Sequence, residues 1–407
     1  MMRMINGHRV LGLVGMKEKS RIPECYALHG VYQSGGADIP SQSQYGTRKS
    51  SILRDPPNRG FEHSSPLVIE QGGVTVYRPL LKFRKSRLIA TCQYMDMEWF
   101  EDHTNKDPSL TMRNAVRHIF SSAAMPIALK PESIIQLSER CKMKGRALND
   151  AAQKLLQESF PSNFNTRTGT LTIRFANIKH GFSLSPQSSA DSSLVAALLL
   201  RQIVTFVTPT EHVHLFSLHG AVEKIFPKIF GQTSPENNLP VAFTVSGVRF
   251  QPQYSQENKN SHLYQSFEWL VSRQPHSSIA SARPVLTVPQ SETGNWSQWE
   301  LYDGRFWLRV RNCSSSPIVI RPFHKDDMQN FKLTRDGRDH LKNYAPGLVR
   351  WTLPAIATKG QGGQEIVVAL PTLDIAVPGI EKDLSWEVRY KSVDIDSLYK
   401  SRSCVVL

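Results

Sequence analysis

Acidic residues are scarce in this 407-residue sequence, as are cysteines and long apolar runs. Asp and Glu number 35 against 49 Lys and Arg, a formal charge of +14. Such a balance points to a polyanionic partner, because phosphate backbones are what a surplus of cations most often meets. The five cysteines, Cys25, Cys92, Cys141, Cys313 and Cys404, are scattered, odd in number and never spaced as CxxC. That excludes a disulfide framework and a zinc ribbon. His212 and His214 have no carboxylate or thiolate at ligand spacing, so they read as surface histidines and no metal site is expected. The longest apolar stretch, Leu194 to Val207, contains Arg201. As a helix it spans roughly 21 Å, short of a bilayer core, and it reads as a buried helix.

What is present suffices for folding. Apolar residues make up 40% of the chain and charged residues 21%, which excludes wholesale disorder and a multi-span membrane protein. The length allows two or three domains of about 100 to 200 residues. Residues 1 to 125 hold 17 bases and 11 acids, and residues 126 to 235 hold 12 and 7, so the first 235 residues carry most of the excess charge.

Both ends imitate targeting signals. The first seventeen residues hold Arg3, Arg9 and Lys17 and no acid, as an organellar transit peptide does, whereas Val10 to Met16 is too short and glycine-broken for a secretory core. Secretion is not expected, and an internal segment starting at a chance Met would look the same as a transit peptide. Cys404-Val405-Val406-Leu407 has the form of a prenylation box, with Lys400 and Arg402 upstream. One lipid with two bases anchors only marginally, so stable membrane association is not expected, although a prenylated, membrane-associated protein is the reading this motif supports.

Along the chain, Ser34 to Pro66 reads as a long surface loop, and Leu67 to Glu70 with Val74 to Tyr77 reads as a hairpin. Helices are expected over Ser86 to Met95, capped by Ser86, and from near Leu110 past Phe120. Beyond Pro131 the period is helical: Ile134, Leu137 and Cys141 share one face, as do Leu148, Ala152 and Leu155. Asp191 caps the apolar run to Val207, a further helix spans Glu211 to Phe226, and Thr170 to Phe175 is strand-like. After residue 240 the period becomes two: Val241 to Phe250, Trp299 to Val310, Ile318 to Ile320, Val349 to Leu353, Ile366 to Leu370 and Trp386 to Tyr390 read as strands. Asp303-Gly304 makes a hairpin turn within this region. The tryptophans here suit either a core or stacking on unpaired bases.

Two glycine-bearing segments invite a phosphate. Ser34-Gly35-Gly36-Ala37-Asp38 looks like an SGGxDS pyrophosphate loop, but Ile39 stands where the second Ser belongs and no helical stripe follows, so it reads as a chance likeness. The second, Gly12-Leu13-Val14-Gly15-Met16, gains weight from an ordered series downstream. Arg78-Pro79-Leu80-Leu81 comes first, then Arg87-Leu88-Ile89. Trp99, Asp102, Asn105 and Asp107 follow in a turn, and then Arg113-Asn114-Ala115-Val116-Arg117-His118.

The series resembles the tRNA(Ile)-lysidine synthetases of the N-type ATP pyrophosphatase superfamily, over roughly residues 1 to 125. The resemblance implies an α/β + α + β architecture. Residues 1–125 would be the C-terminal part of an adenine-nucleotide-hydrolase-like α/β domain with a flexible insertion at 33–66, residues 126–235 a helical middle domain, and residues 236–407 a β-rich C-terminal domain. It also implies a ligase that adenylates the wobble cytidine of the AUA-decoding tRNA with ATP and Mg2+, then joins lysine to it. The partners would be tRNA(Ile), lysine and ATP, with a homo-oligomer possible, and the compartment a mitochondrion or other organelle, or a bacterial cytoplasm.

Within that resemblance Arg113 and Arg117 are the catalytic candidates, since guanidinium forks suit a phosphate-rich transition state. Asp102, Asn105 and Asp107 are the substrate-binding candidates, although the same residues are what a capped turn before a helix requires. Arg78, Lys82, Arg84, Lys85 and Arg87, with Lys142, Lys144 and Arg146, are the tRNA-binding candidates, a solvated basic face being the plain alternative. The family's ATP loop belongs well upstream of Gly12 and has no counterpart in this sequence, so the chain is expected to lack the N-terminal ATP-loop segment and not to adenylate alone. A non-catalytic RNA-binding derivative is the rival reading.

Overall fold

The computed structural model describes residues 1–22, 28–30, 65–70, 74–176, 189–230, 240–253, 268–277, 279, 283–360 and 363–399. The expected loop through residue 64, the look-alike at Ser34 to Asp38 and the terminal Cys404 box lie outside them. Contacts divide the chain into two units, Met1–Pro23 with Val74–Lys154, and Glu24–Gly73 with Leu155–Leu407.

The first unit is helical with one small sheet. A short helix, α1 (Met2–Ile5), precedes strand β1 (Lys19–Arg21), which pairs antiparallel with β2 (Thr75–Tyr77) in the register Ser20 to Val76. Then come α2 (Lys85–Tyr94), α3 (Met112–Ser122) and the long α4 (Pro131–Glu158). Helix α3 starts where Thr111 accepts from the Asn114 amide at 3.2 Å. By contrast, α2 begins at Lys85 after Arg84 with no side-chain cap, so Ser86 lies inside the helix and not at its cap. The Gly12 to Gly15 segment lies along α4. A Cβ at Gly145 would stand 3.5 Å from Leu11 and 3.6 Å from Val14, so a side chain there would fill the space these residues use.

The second unit is β-rich, with three antiparallel sheets among the described residues. One has the order β3-β4-β7-β6-β5, formed by β3 (Phe160–Asn165), β4 (Thr170–Arg174), β5 (Phe243–Val245), β6 (Val248–Gln253) and β7 (Glu268–Arg273). Strands from the expected helical middle thus pair with strands beyond residue 240. Helix α5 (Ser189–Val207) packs against β4, β7 and α6 (His219–Ile225). Helix α5 is long and apolar enough to cross a membrane by length and composition, yet Leu198, Leu199, Leu200, Ile203 and Val204 are all buried in the protein core.

The other two sheets face each other. The order β15-β10-β9 is built from β9 (Glu300–Tyr302), β10 (Phe306–Asn312) and β15 (Leu384–Tyr390). The order β14-β13-β12-β11-β8 uses β8 (Leu286–Val288), β11 (Ile318–Pro322), β12 (Pro354–Lys359), β13 (Glu365–Leu370) and β14 (Ile375–Ala376). Period-2 alternation sends Phe306, Leu308 and Val310 of β10 inward to meet Ile318, Ile320 and Ile356. On the far face of the five-stranded sheet, α8 (Arg335–Tyr344), preceded by the short α7 (Asp327–Asn330), buries Leu341 against Phe323, Leu353 and Val367. The chain ends, within the described residues, in α9 (Asp396–Tyr399).

A buried charged cluster ties this unit together. Asp303 at the β9–β10 turn accepts from Arg273 Nε at 3.0 Å and from Arg305 Nε at 2.9 Å. Arg305, fully buried, also donates to the Thr352 carbonyl at 2.6 Å. Beside it, Tyr390 Oη donates to the Phe206 carbonyl at 2.7 Å and Lys391 Nζ donates to the Thr208 carbonyl, satisfying groups at and just past the C-terminus of α5.

Several expectations are corrected. Leu67 to Tyr77 is not a hairpin: Thr75–Tyr77 pairs with Lys19–Arg21 in one unit, while Ile69 bridges Tyr390 in parallel in the other. Alternation identifies a strand but not its partner. Val349–Thr352 is a turn of 3-10 helix and the strand begins at Pro354. Asp191 lies in the first turn of α5 and does not cap it. Only His219–Ile225 of the segment expected from Glu211 is α-helical, after a 3-10 turn at Leu215–Leu218, because Glu211 to His214 offers no apolar face to bury. The mixed α/β class with a β-rich C-terminal region stands as expected.

Candidate functional site

The turn at Asp102 to Asp107 is built by its own short polar side chains. Asp102 Oδ1 accepts from the Thr104 amide at 2.9 Å and the Thr104 hydroxyl at 2.7 Å, opening a 3-10 turn at His103–Lys106. Asp107 Oδ1 repeats the pattern with the Ser109 amide at 2.8 Å and hydroxyl at 2.6 Å. Both carboxyls are held below their usual range, first by the Thr104 and Ser109 hydroxyls and then by the backbone amides. Each is exposed and keeps Oδ2 outside these bonds.

Helix α3 clamps this turn. Asn114, buried in the first turn of α3, donates from Nδ2 to the carbonyls of Thr104 and Asp107, each at 2.9 Å. Arg117, one turn on, donates to Asn105 Oδ1 at 2.7 Å, and Asn105 Nδ2 donates to the Asp102 carbonyl at 3.2 Å. Four of the five catalytic and substrate-binding candidates, Asp102, Asn105, Asp107 and Arg117, are thus joined in one network. Arg113 lies four residues before Arg117, on the same side of the helix, exposed and without a partner among the described residues. Among the described residues of the motif from Asp102 to His118, it is the one guanidinium left uncommitted. Asn114 went unassigned in the sequence, and its signal was the amide within Arg113-Asn114, three residues after the capping Thr111.

The basic candidates fare differently. Arg78 donates to the Lys17 carbonyl at 3.2 Å and to Ser20 Oγ at 2.7 Å, so it pins β1 to the chain leaving β2. Lys82 meets Glu18 at 3.2 Å, Lys85 meets Glu101 at 2.9 Å, and the Arg87 guanidinium lies over Phe83 at 5.2 Å. Arg84 is exposed and without a partner among the described residues. On α4, Lys142 pairs with Glu139 at 2.6 Å. Lys142 and Arg146 share a face, whereas Lys144 points the other way, since residues two apart on a helix are turned about 200°. The three therefore flank α4 and do not form a single patch. No cluster that could hold a metal ion occurs among the described residues.

The tryptophans divide as well. Trp307 is buried, while Trp296 and Trp299 are half-buried on the outer face of the three-stranded sheet. There His29 stacks on Trp299 at 4.4 Å, and the guanidiniums of Arg309 and Arg389 lie 4.9 and 5.0 Å from the same ring.

Comparison with known proteins gives the constellation a context. Residues 57–123, which span the turn and α3, match the PP-loop domain family. The chain is 22% identical over 306 residues to the "Probable tRNA(Ile)-lysidine synthase" of Schizosaccharomyces pombe, covering 74% of this chain and 57% of that protein. It is 28% identical over 163 residues to the "tRNA(Ile)-lysidine synthase" of a Bradyrhizobium strain, covering 37% of this chain and 45% of that one. The chain thus spans about half the length of the curated relatives it matches. These matches bear out the resemblance drawn from the ordered motifs: the chain is similar to the tRNA(Ile)-lysidine synthases, and residues 57–123 match the PP-loop domain family.

Proposed function

We propose that the chain serves an ATP-dependent tRNA-modifying ligase that joins lysine to the wobble cytidine of AUA-decoding tRNA(Ile), with Met1–Pro23 and Val74–Lys154 meeting the tRNA. The observation that carries this reading is the clamped turn. Asn114 and Arg117 hold the turn that carries Asp102, Asn105 and Asp107, and Arg113, on the same helix, is exposed without a partner among the described residues. An uncommitted arginine on the helix that clamps a carboxylate-bearing turn suits a reaction in which a phosphate-rich electrophile meets an incoming ammonium group.

Charge supports the same reading. The first unit has 19 Lys and Arg against 9 Asp and Glu, a net +10 of the molecule's +14. Apolar exposure supports a larger assembly. Among the described residues of that unit only Asn114, Cys141, Gly145, Leu148, Ala151 and Ala152 are buried, while Tyr94 and Phe100 are 89% and 95% exposed. Such a surface marks an interaction site. ATP, with Mg2+, enters as co-substrate of that ligase.

The test is retention of tRNA(Ile) bearing a CAU anticodon against tRNA(Met) by the full chain. Selective retention of tRNA(Ile) is expected, and equal affinity for both tRNAs would leave a general RNA binder and overturn the reading.

A further inference from the structure

The outer face of the three-stranded sheet carries an alternating ladder of rings and cations that the ligase reading does not use. Arg309 lies 4.9 Å from the ring of Trp296 and 4.9 Å from that of Trp299, so its guanidinium is shared between the two indoles. The ladder is braced at its base: Arg309 donates to Glu387 at 2.9 Å and Arg389 to Glu70 at 3.2 Å. Trp299 is occupied by His29 and two guanidiniums. Trp296, at the end of the ladder, instead lines an open cavity of about 390 Å³.

That cavity is preformed. Asn312 in its wall donates to the carbonyls of Pro289 at 3.2 Å and Ser316 at 2.9 Å, and Ser297 Oγ accepts from the Val310 amide at 3.0 Å. The wall is therefore held by bonds within itself. Glu292 and Gln290, by contrast, line the cavity with no partner among the described residues.

An aromatic wall with a cation behind it and a free carboxylate and amide at the rim suit a nucleobase, which offers a flat π-face to the indole and N–H groups to the carboxylate. We propose that the Trp296 cavity seats an unpaired nucleobase of RNA and that Glu292 selects guanine, whose N1–H and N2–H groups form a paired donor edge for a carboxylate, over uracil, which presents a single N3–H. The choice of RNA as the carrier rests on the tRNA reading; the pocket itself does not.

The full chain is photolabelled with a single-stranded octanucleotide carrying 8-azidoguanosine at its centre, and the labelled peptide is mapped. Label is expected within residues 288–297. Trp296→Ala should weaken octanucleotide binding about tenfold or more, while Trp296→Phe, which keeps a ring, should stay within about threefold. Glu292→Gln should erase the preference over a uracil-centred octanucleotide. Labelling elsewhere, or unchanged binding by a folded Trp296→Ala protein, overturns the proposal. If the octanucleotide binds as described while tRNA is not retained, the tRNA reading fails and the pocket stands. If tRNA is retained and the octanucleotide is not bound, the pocket fails alone.

Discussion

At the scale of single residues, neighbouring side chains of similar polarity do different work. Asn114 and Arg113 adjoin in sequence, yet one is buried and makes two bonds to carbonyls while the other is exposed and makes none among the described residues. Asn114→Ala should lower stability by about 1 to 3 kcal/mol in urea unfolding, since two carbonyls lose their donor. Arg113→Ala should leave stability within about 0.5 kcal/mol and instead weaken tRNA retention. If Arg113→Ala melted like Asn114→Ala, the guanidinium would be structural.

Lys391 gives a second test at this scale. Burial, with the Arg305 charge adding to it, lowers its pKa from 10.5 to about 7. In the unfolded chain the amine keeps its proton up to about pH 10.4. Between about 7 and that value the unfolded state binds more protons, so this group makes stability rise with pH across that window. Below it the folded chain holds a buried ammonium and stability is lowest. His276, lowered to about 4 mainly by burial, adds a rise of the same sign between 4 and its unfolded value near 6.5. Lys391→Met should therefore stabilise the protein more at pH 7 than at pH 9, and calorimetry at the two values checks it. An equal effect at both would mean that Lys391 keeps its ordinary pKa.

At the scale of elements, periodicity and turn chemistry were readable and long-range partners were not. The helical period gave α2, α3 and α4, and the β9–β10 hairpin followed from Asp303-Gly304 between alternating runs. These signals sit within a few residues of one another, where local sterics decide. The clamp from Asn114 onto Thr104 and Asp107 had only a local hint. The bonds from Asp303 to Arg273 and from Lys391 to Thr208 cross 30 and 183 positions, and no spacing rule reports them. Val349 to Leu353 misled because an apolar, β-branched run suits a buried 3-10 turn as well as a strand.

The hairpin also carries a sharp prediction. Gly304 has φ of +58°, and a Cβ on it would stand 2.0 Å from the Pro209 carbonyl oxygen, backbone that cannot swing aside. Gly347 has the same φ of +58° and nothing within 4 Å. Alanine at 347 should cost only the left-handed backbone term, about 1 to 2 kcal/mol. Alanine at 304 adds the clash and should cost more than about 4 kcal/mol, a range reserved for such mechanisms. Comparable melting temperatures for the two variants would show that the segment at Pro209 can move away from the turn.

At the scale of the whole molecule, the charge seen in the sequence becomes an address. The excess assigned to the first 235 residues is concentrated in the unit of Met1–Pro23 and Val74–Lys154, at +10, leaving +4 for the much longer second unit. Much of that +10 is already engaged: Arg78, Lys82, Lys85 and Lys142 have partners inside the unit. The cations able to release counterions from a phosphate backbone are those left over, Arg84, Arg113 and Arg146 among them. Replacing these three with Gln should flatten the dependence of log affinity for tRNA on log salt by about 2 to 3 units, since each phosphate contact is worth roughly 0.7 to 0.9. Replacing Arg335, Arg338 and Lys342 on α8 removes the same charge from the second unit and should leave the slope nearly unchanged. Net charge alone would predict equal losses, so filter binding over a salt series separates a localised phosphate track from a general cationic attraction. Equal flattening by both triple variants would refute the track.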